Sequence, residues 1–93
     1  MIPERLKTAR LRAELTQEQL GVAAGIAEDT AYSRLSQYES GIHKPTFKMV
    51  CAFAKVLNVP ECYFYTVDDS FAEAILRLFD GELVQWEYMP EVS

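Results

Sequence analysis

The chain has 93 residues, 49% of them hydrophobic and 25% charged, which is room for one domain with a single core and no separate ligand-sensing domain. Its apolar runs fall far short of the roughly 20 residues that a membrane span needs, and Pro3, Glu4 and Arg5 stand where an apolar signal core would begin, so the expectation is a cytoplasmic protein with no membrane partner. The net charge of −5 excludes a uniformly basic surface.

In chain order, Ile2, Leu6, Ala9 and Ala13 recur at helical spacing behind Pro3, with Arg5, Lys7, Arg10 and Arg12 interleaved, and predict a first helix from Ile2 to Ala13. Taken singly, each of those basic residues reads as part of a solvated helix face. Thr16 followed by Gln19 is a capping box, which starts a second helix running from Gln17 to about Ala24. Gly25 closes it, and Glu28 or Asp29 offers an acidic start to a third helix that ends at Glu39, before Ser40 and Gly41. The loop Ile42 to Pro45 carries His43 and Lys44, and Thr46 caps a fourth helix with Phe47, Val50, Cys51, Ala54 and Leu57 on its core-facing side. Glu61 to Tyr65 reads as one aromatic turn. A final helix, capped by Asp69 or Ser70, sets out Phe71, Ala74, Ile75, Leu78 and Phe79 before Gly81. Val84, Trp86 and Tyr88 alternate as in a strand, with one more helical turn the other reading.

The fold class is therefore all-α: a five-helix domain, counting the aromatic turn, with an additional C-terminal helix and a short tail. The aromatic set Phe47, Phe53, Tyr63, Phe64, Tyr65 and Phe71 is expected to fill the core of so small a domain rather than to line a ligand pocket. Cys51 and Cys62 are far from a CxxC spacing and the chain has one histidine, His43, so both cysteines read as reduced core thiols and no metal site is expected. One histidine, scattered carboxylates and no glycine-rich phosphate loop supply no catalytic set; neither an enzyme nor a cofactor is expected. His43 reads as an exposed loop histidine.

Charge is unevenly spread. Residues 1–60 carry a balance of +2 and residues 61–93 a balance of −7, so only the first part suits a phosphate-facing surface. Within it, Leu20, Ala23 and Ala24 offer a small apolar surface against which a third helix can pack through Leu35 and Tyr38. At 3.6 residues per turn this leaves Tyr32, Ser33, Arg34, Ser36 and Gln37 on or near the outer side.

The stretch LTQEQLGVAAGIAEDTAYSRLSQYESGIHKP, from Leu15 to Pro45, resembles the phage repressor and Cro type, or XRE-like, helix-turn-helix. Thr16, Gln17, Glu18 and Leu20 match its second helix, Gly25 and Ile26 its turn, Ser33, Ser36, Glu39 and Gly41 its reading helix, and Lys44 and Pro45 its basic loop. The resemblance covers about residues 2–65 and implies a regulator of transcription whose partner is double-stranded DNA. It implies base contacts from Tyr32, Ser33 and Gln37, with Arg34 beside them, and backbone contacts from Gln17, Lys44 and Lys48. It also implies an ion pair between Arg10 and Glu39. Ala27, Glu28, Asp29 and Thr30 are extra relative to the family's usual spacing; four residues are close to one helical turn, so the reading helix is expected to begin a turn earlier and stay in phase.

The apolar stripe of the last helix exceeds what such a core requires, and Phe71, Ile75, Leu78 and Phe79, with Trp86, are expected to form a dimer surface. Residues 1–66 then make the DNA-binding domain and residues 67–93 the dimerisation element of a homodimeric repressor or autoregulator. The alternative keeps the scaffold and exchanges DNA for a protein partner, as in an antitoxin or a regulatory partner held by the acidic, apolar C-terminal part.

Overall fold

Three of the five α-helices start where a side chain takes up an otherwise orphaned amide. In the computed structural model, which describes residues 1–81, Pro3 opens α1 (Pro3–Arg12) and Thr16 opens α2 (Gln17–Ala23). There the Thr16 hydroxyl accepts from Gln19 N at 3.0 Å, and the Gln19 side chain accepts from Thr16 N at 2.9 Å. Helix α3 (Glu28–Ser40) has no side-chain cap, but Glu28 and Asp29 lie in its first turn, where negative charge opposes the positive helix end. Thr46 caps α4 (Phe47–Leu57) through Met49 N at 3.1 Å. The aromatic stretch Glu61–Tyr65 is a 3₁₀ turn. Helix α5 (Asp69–Phe79) is capped by Asp68, whose Oδ1 accepts from Phe71 N at 2.7 Å, one residue ahead of the expected cap. Among the described residues the protein is all-helical, with five α-helices and the 3₁₀ turn. Trp86 and the alternating tail lie outside them.

The core gathers Leu6 and Ala9 from α1, Leu20 from α2, Ala31, Leu35 and Tyr38 from α3, and Val50, Phe53, Ala54 and Leu57 from α4, with Tyr63 and Phe64 beneath. Ala72 and Leu76 of α5 complete it. Two expectations about this core are corrected. Phe47 is 62% exposed and leans against Tyr65, centroid to centroid 6.3 Å, because Phe53 takes the inward place. In a helix as apolar as α4, spacing alone does not choose between two rotations of the stripe. Of the six aromatics expected inside, Phe53, Tyr63 and Phe64 are buried, while Phe47, Tyr65 and Phe71 are exposed. Nor are both cysteines core thiols. Cys51 is half-buried and Cys62 exposed, since the 3₁₀ turn directs Tyr63 and Phe64 inward and leaves Cys62 outside.

Helix α1 does more than bury Leu6 and Ala9. Arg5 is buried, donating from Nε to the Thr66 carbonyl and from Nη2 to the Val67 carbonyl, both at 3.0 Å, and pairing with Asp69 at 2.9 Å. Arg12, near the other end of α1, pairs with Asp80. The two contacts lay α5 alongside α1 in the same direction. Arg5 and Arg12 are thus internal ties, contrary to the reading of each as a solvated cation.

Candidate nucleic-acid interface

The mounting of α3 begins with a residue too small to interfere. A Cβ built on Gly21 would stand 2.8 Å from Ala31 Cβ and 3.0 Å from Leu35 Cδ2, so α2 and α3 cross at a distance that only glycine against alanine allows. The sequence reading placed this contact on Leu20, Ala23 and Ala24. Leu20 is buried and Ala24 half-buried, but Ala23 is exposed, and Gly21 with Ala31 makes the close approach. The signal that could have found it was the glycine inside a helical pattern.

A polar network locks the same crossing. Arg10 Nε donates to Glu39 Oε2 at 2.6 Å and Arg10 Nη2 to Glu39 Oε1 at 3.1 Å. The Arg10 and Glu39 side chains are only 10% and 5% exposed. Arg10 Nη1 also donates to the Leu15 carbonyl at 3.0 Å, and Gln17 Nε2 donates to Glu39 Oε1 at 3.0 Å. One carboxylate therefore joins α1, α2 and α3. A forked guanidinium on a carboxylate fixes direction as well as distance, and no buried side-chain polar atom among the described residues lacks a partner. Gln17, expected to reach outward, is half-buried and held inward by this bond, with its second amide N–H left over.

With Ala31, Leu35 and Tyr38 buried, α3 turns Tyr32, Ser33 and Arg34 to solvent, and leaves Ser36 and Gln37 half-buried at the edge. Tyr32 is 64% exposed, a degree of exposure that core packing does not explain. Ser33 Oγ donates to the Thr30 carbonyl at 3.2 Å. The four additional residues Ala27–Thr30 extend the helix and not the loop: α3 begins at Glu28 and runs 13 residues. Four residues add about 6 Å and about 400° of turn, so the outward face stays nearly in phase and projects one turn further.

At its far end α3 stops on Gly41, φ 82°. Ile42 N donates to the Gln37 carbonyl at 3.0 Å and Gly41 N to the Tyr38 carbonyl at 3.3 Å, the paired bonds that close a helix on a left-handed residue. His43 N shares the Gln37 carbonyl at 3.3 Å. This folds the loop back beside α3, so that Arg34, Gln37, Tyr38, His43 and Lys44 line one open cleft of about 450 Å³. Lys48, exposed in the first turn of α4, follows directly. A second cleft lies where the α1–α2 connection, with Glu14, Thr16, Gln17 and Glu18, faces Tyr32 of α3.

The sequence model described as helix-turn-helix matches residues 6–64. The chain belongs to the XRE-type helix-turn-helix family. The solved structure of the transcriptional regulator BswR is 38% identical and superposes with a TM-score of 0.82, over 95% of this chain and 93% of that one. Comparison with curated proteins returns no match. In the family's terms α2 and α3 are the helix pair, Gly25 and Ile26 their turn, and α3 the helix in the reading position. The likeness to BswR extends beyond the matched helix-turn-helix into α5.

Phe71, Leu78 and Phe79 are 60%, 46% and 49% exposed and Ile75 half-buried. The side of α5 next to Ala72 and Leu76 is thus exposed among the described residues, with Ile75, Leu78 and Phe79 joining Pro60 and Cys62 around an apolar groove of about 660 Å³. Among the described residues no cluster of side chains suits a metal ion, and no helix is long and apolar enough to cross a membrane.

Proposed function

We propose that this protein is a sequence-specific DNA-binding regulator of transcription, which inserts α3 into the major groove and acts as a homodimeric repressor or autoregulator. The observation that carries the reading is the outward face of α3. Tyr32, Ser33, Arg34 and Gln37 present hydroxyl, guanidinium and amide groups on a helix clamped from behind by the Gly21–Ala31 contact and the Arg10–Glu39–Gln17 network. Gln suits an adenine edge, Arg a guanine edge or a phosphate, and the groove is about 12 Å wide, which admits a helix. Gln17, Lys44 and Lys48 flank it as backbone contacts, the first through its remaining amide N–H.

One such helix touches few base pairs, and two related by a twofold axis would reach half-sites about 34 Å apart. The open face of α5, with Phe71, Ile75, Leu78 and Phe79, supports a dimer in which residues 67–93 join two copies of the 1–66 unit. The acidic C-terminal part then sits away from the duplex.

Sequencing the DNA that copurifies with the protein tests the reading, with the Arg34→Ala/Gln37→Ala double variant as control. The expected result is one enriched, near-palindromic sequence for the native protein, and at least tenfold weaker binding with unchanged folding for the variant, since a bidentate base contact is worth about 1–3 kcal/mol and a charged hydrogen bond to the backbone about 1.5–3 kcal/mol. No enrichment, together with an affinity for duplex that ignores salt, overturns it in favour of a protein partner.

A further inference from the structure

The cleft where α3 meets the loop behind it is lined by Arg34, Gln37, Tyr38, His43 and Lys44. We infer that this cleft seats a phosphate of the DNA backbone and that His43 is its third cationic ligand, charged only when protonated, so that the grip on DNA tightens as pH falls. The inference rests on the DNA-binding reading and adds to it a residue, a ligand group and a pH dependence.

Three observations carry it. The lining brings together one permanent guanidinium, one ammonium and one imidazole, with a phenol and an amide, and no carboxylate. Such a set suits a diester oxygen and repels nothing anionic. The arrangement is also built and not a chance of a long loop: His43 N and Ile42 N both donate to the Gln37 carbonyl, at 3.3 and 3.0 Å, which holds the start of the loop alongside the end of α3. The cations have no competing partner inside the domain. Arg5, Arg10 and Arg12 are spent on Asp69, Glu39 and Asp80, whereas Arg34 and Lys44 form no ion pair among the described residues. On a chain of net charge −5, one more positive charge at the contact point is a large fraction of what faces the duplex.

His43 is the chain's one histidine, and histidine is the side chain that changes charge between about pH 5 and 8. The titratable and charged groups that face it are Arg34 and Tyr38 from α3 and Lys44 from its own loop. A phosphate seated among these groups pairs with the imidazole in its charged form. Binding of DNA therefore takes up a proton, and affinity rises as pH drops through the histidine range.

The test is duplex binding by fluorescence anisotropy, using a mixed-sequence duplex of about two helical turns, at several salt concentrations near pH 6 and near pH 8. For the native protein the slope of log K against log salt should steepen at the lower pH, by up to about 0.9, the limit for one further positive charge brought to the backbone. At fixed salt the affinity should rise roughly three- to tenfold. His43→Gln should hold the shallow slope at both pH values, and His43→Lys the steep one. Equal pH dependence in native protein and His43→Gln overturns the inference while leaving DNA binding intact. Absence of any duplex binding at both pH values overturns the DNA-binding reading and this inference together.

Discussion

Helices α3 and α5 are of similar length, 13 and 11 residues, and are mounted in opposite ways. Helix α3 buries Ala31, Leu35 and Tyr38 and carries polar groups outward; α5 buries Ala72 and Leu76 and carries Phe71, Leu78 and Phe79 outward. A side chain from α1 holds each, but the holds differ in kind. Glu39 is 5% exposed beside Arg10, a pair shut away from water, whereas Asp69 beside Arg5 is 91% exposed, where an ion pair contributes little. The difference teaches that rigidity and stickiness are separated in this molecule. The helix with the polar face is tied to the body by a buried ion pair, and the helix with the apolar face leaves that face exposed among the described residues.

The comparison breaks most visibly at Glu39. Glu39→Ala leaves a buried guanidinium and the Gln17 amide without their acceptor, and should cost about 3 kcal/mol or more, lowering the thermal midpoint by on the order of 15 °C. Circular dichroism melts read this directly, and a midpoint within a few degrees of the native protein would show the network to be ornamental.

Gly21 tests the apolar half of the same clamp. On an open helix face a larger residue would be neutral or mildly favourable. Here Gly21→Val should destabilise by about 2 kcal/mol, because the added atoms meet Ala31 and Leu35 and α3 must move away from α2. DNA affinity should fall further than the melt alone explains, since the reading helix is displaced.

The smallest effect on the fold is expected at α5. Leu78→Asp replaces a residue 46% exposed, so the stability of the monomer should fall by about 1 kcal/mol. Sedimentation equilibrium should nevertheless shift from dimer to monomer, and the concentration dependence of the thermal midpoint should vanish with it. A variant that sediments like the native protein would remove α5 as the joining surface and leave the clamp untouched.

Much of this was legible in the residues. Thr16 with Gln19, Thr46 and Gly41 mark helix ends by local hydrogen bonding and backbone freedom, which involve only residues a few positions apart. The outward set Tyr32, Ser33 and Arg34 followed from helical period once Leu35 and Tyr38 were taken as inward. Less legible was the division of labour among like residues. Arg5, Lys7, Arg10 and Arg12 have one appearance in sequence; three of them are ties, to Asp69, Glu39 and Asp80, because partners 29 to 68 positions away come within reach only after packing. Phe47 and Phe53 were equally eligible for the core, and the rotation of α4 decided between them.

By itself, then, the order of amino acids determined where helices begin and end, which helix carries polar groups outward, and to which family the chain belongs, since these depend on short-range bonding and periodicity. Tertiary structure decided which charges are consumed inside, that Gly21 and not Ala23 sets the distance between α2 and α3, and that the loop carrying His43 and Lys44 folds back beside Arg34. Those are distances between residues on different elements, and chain folding alone brings them together.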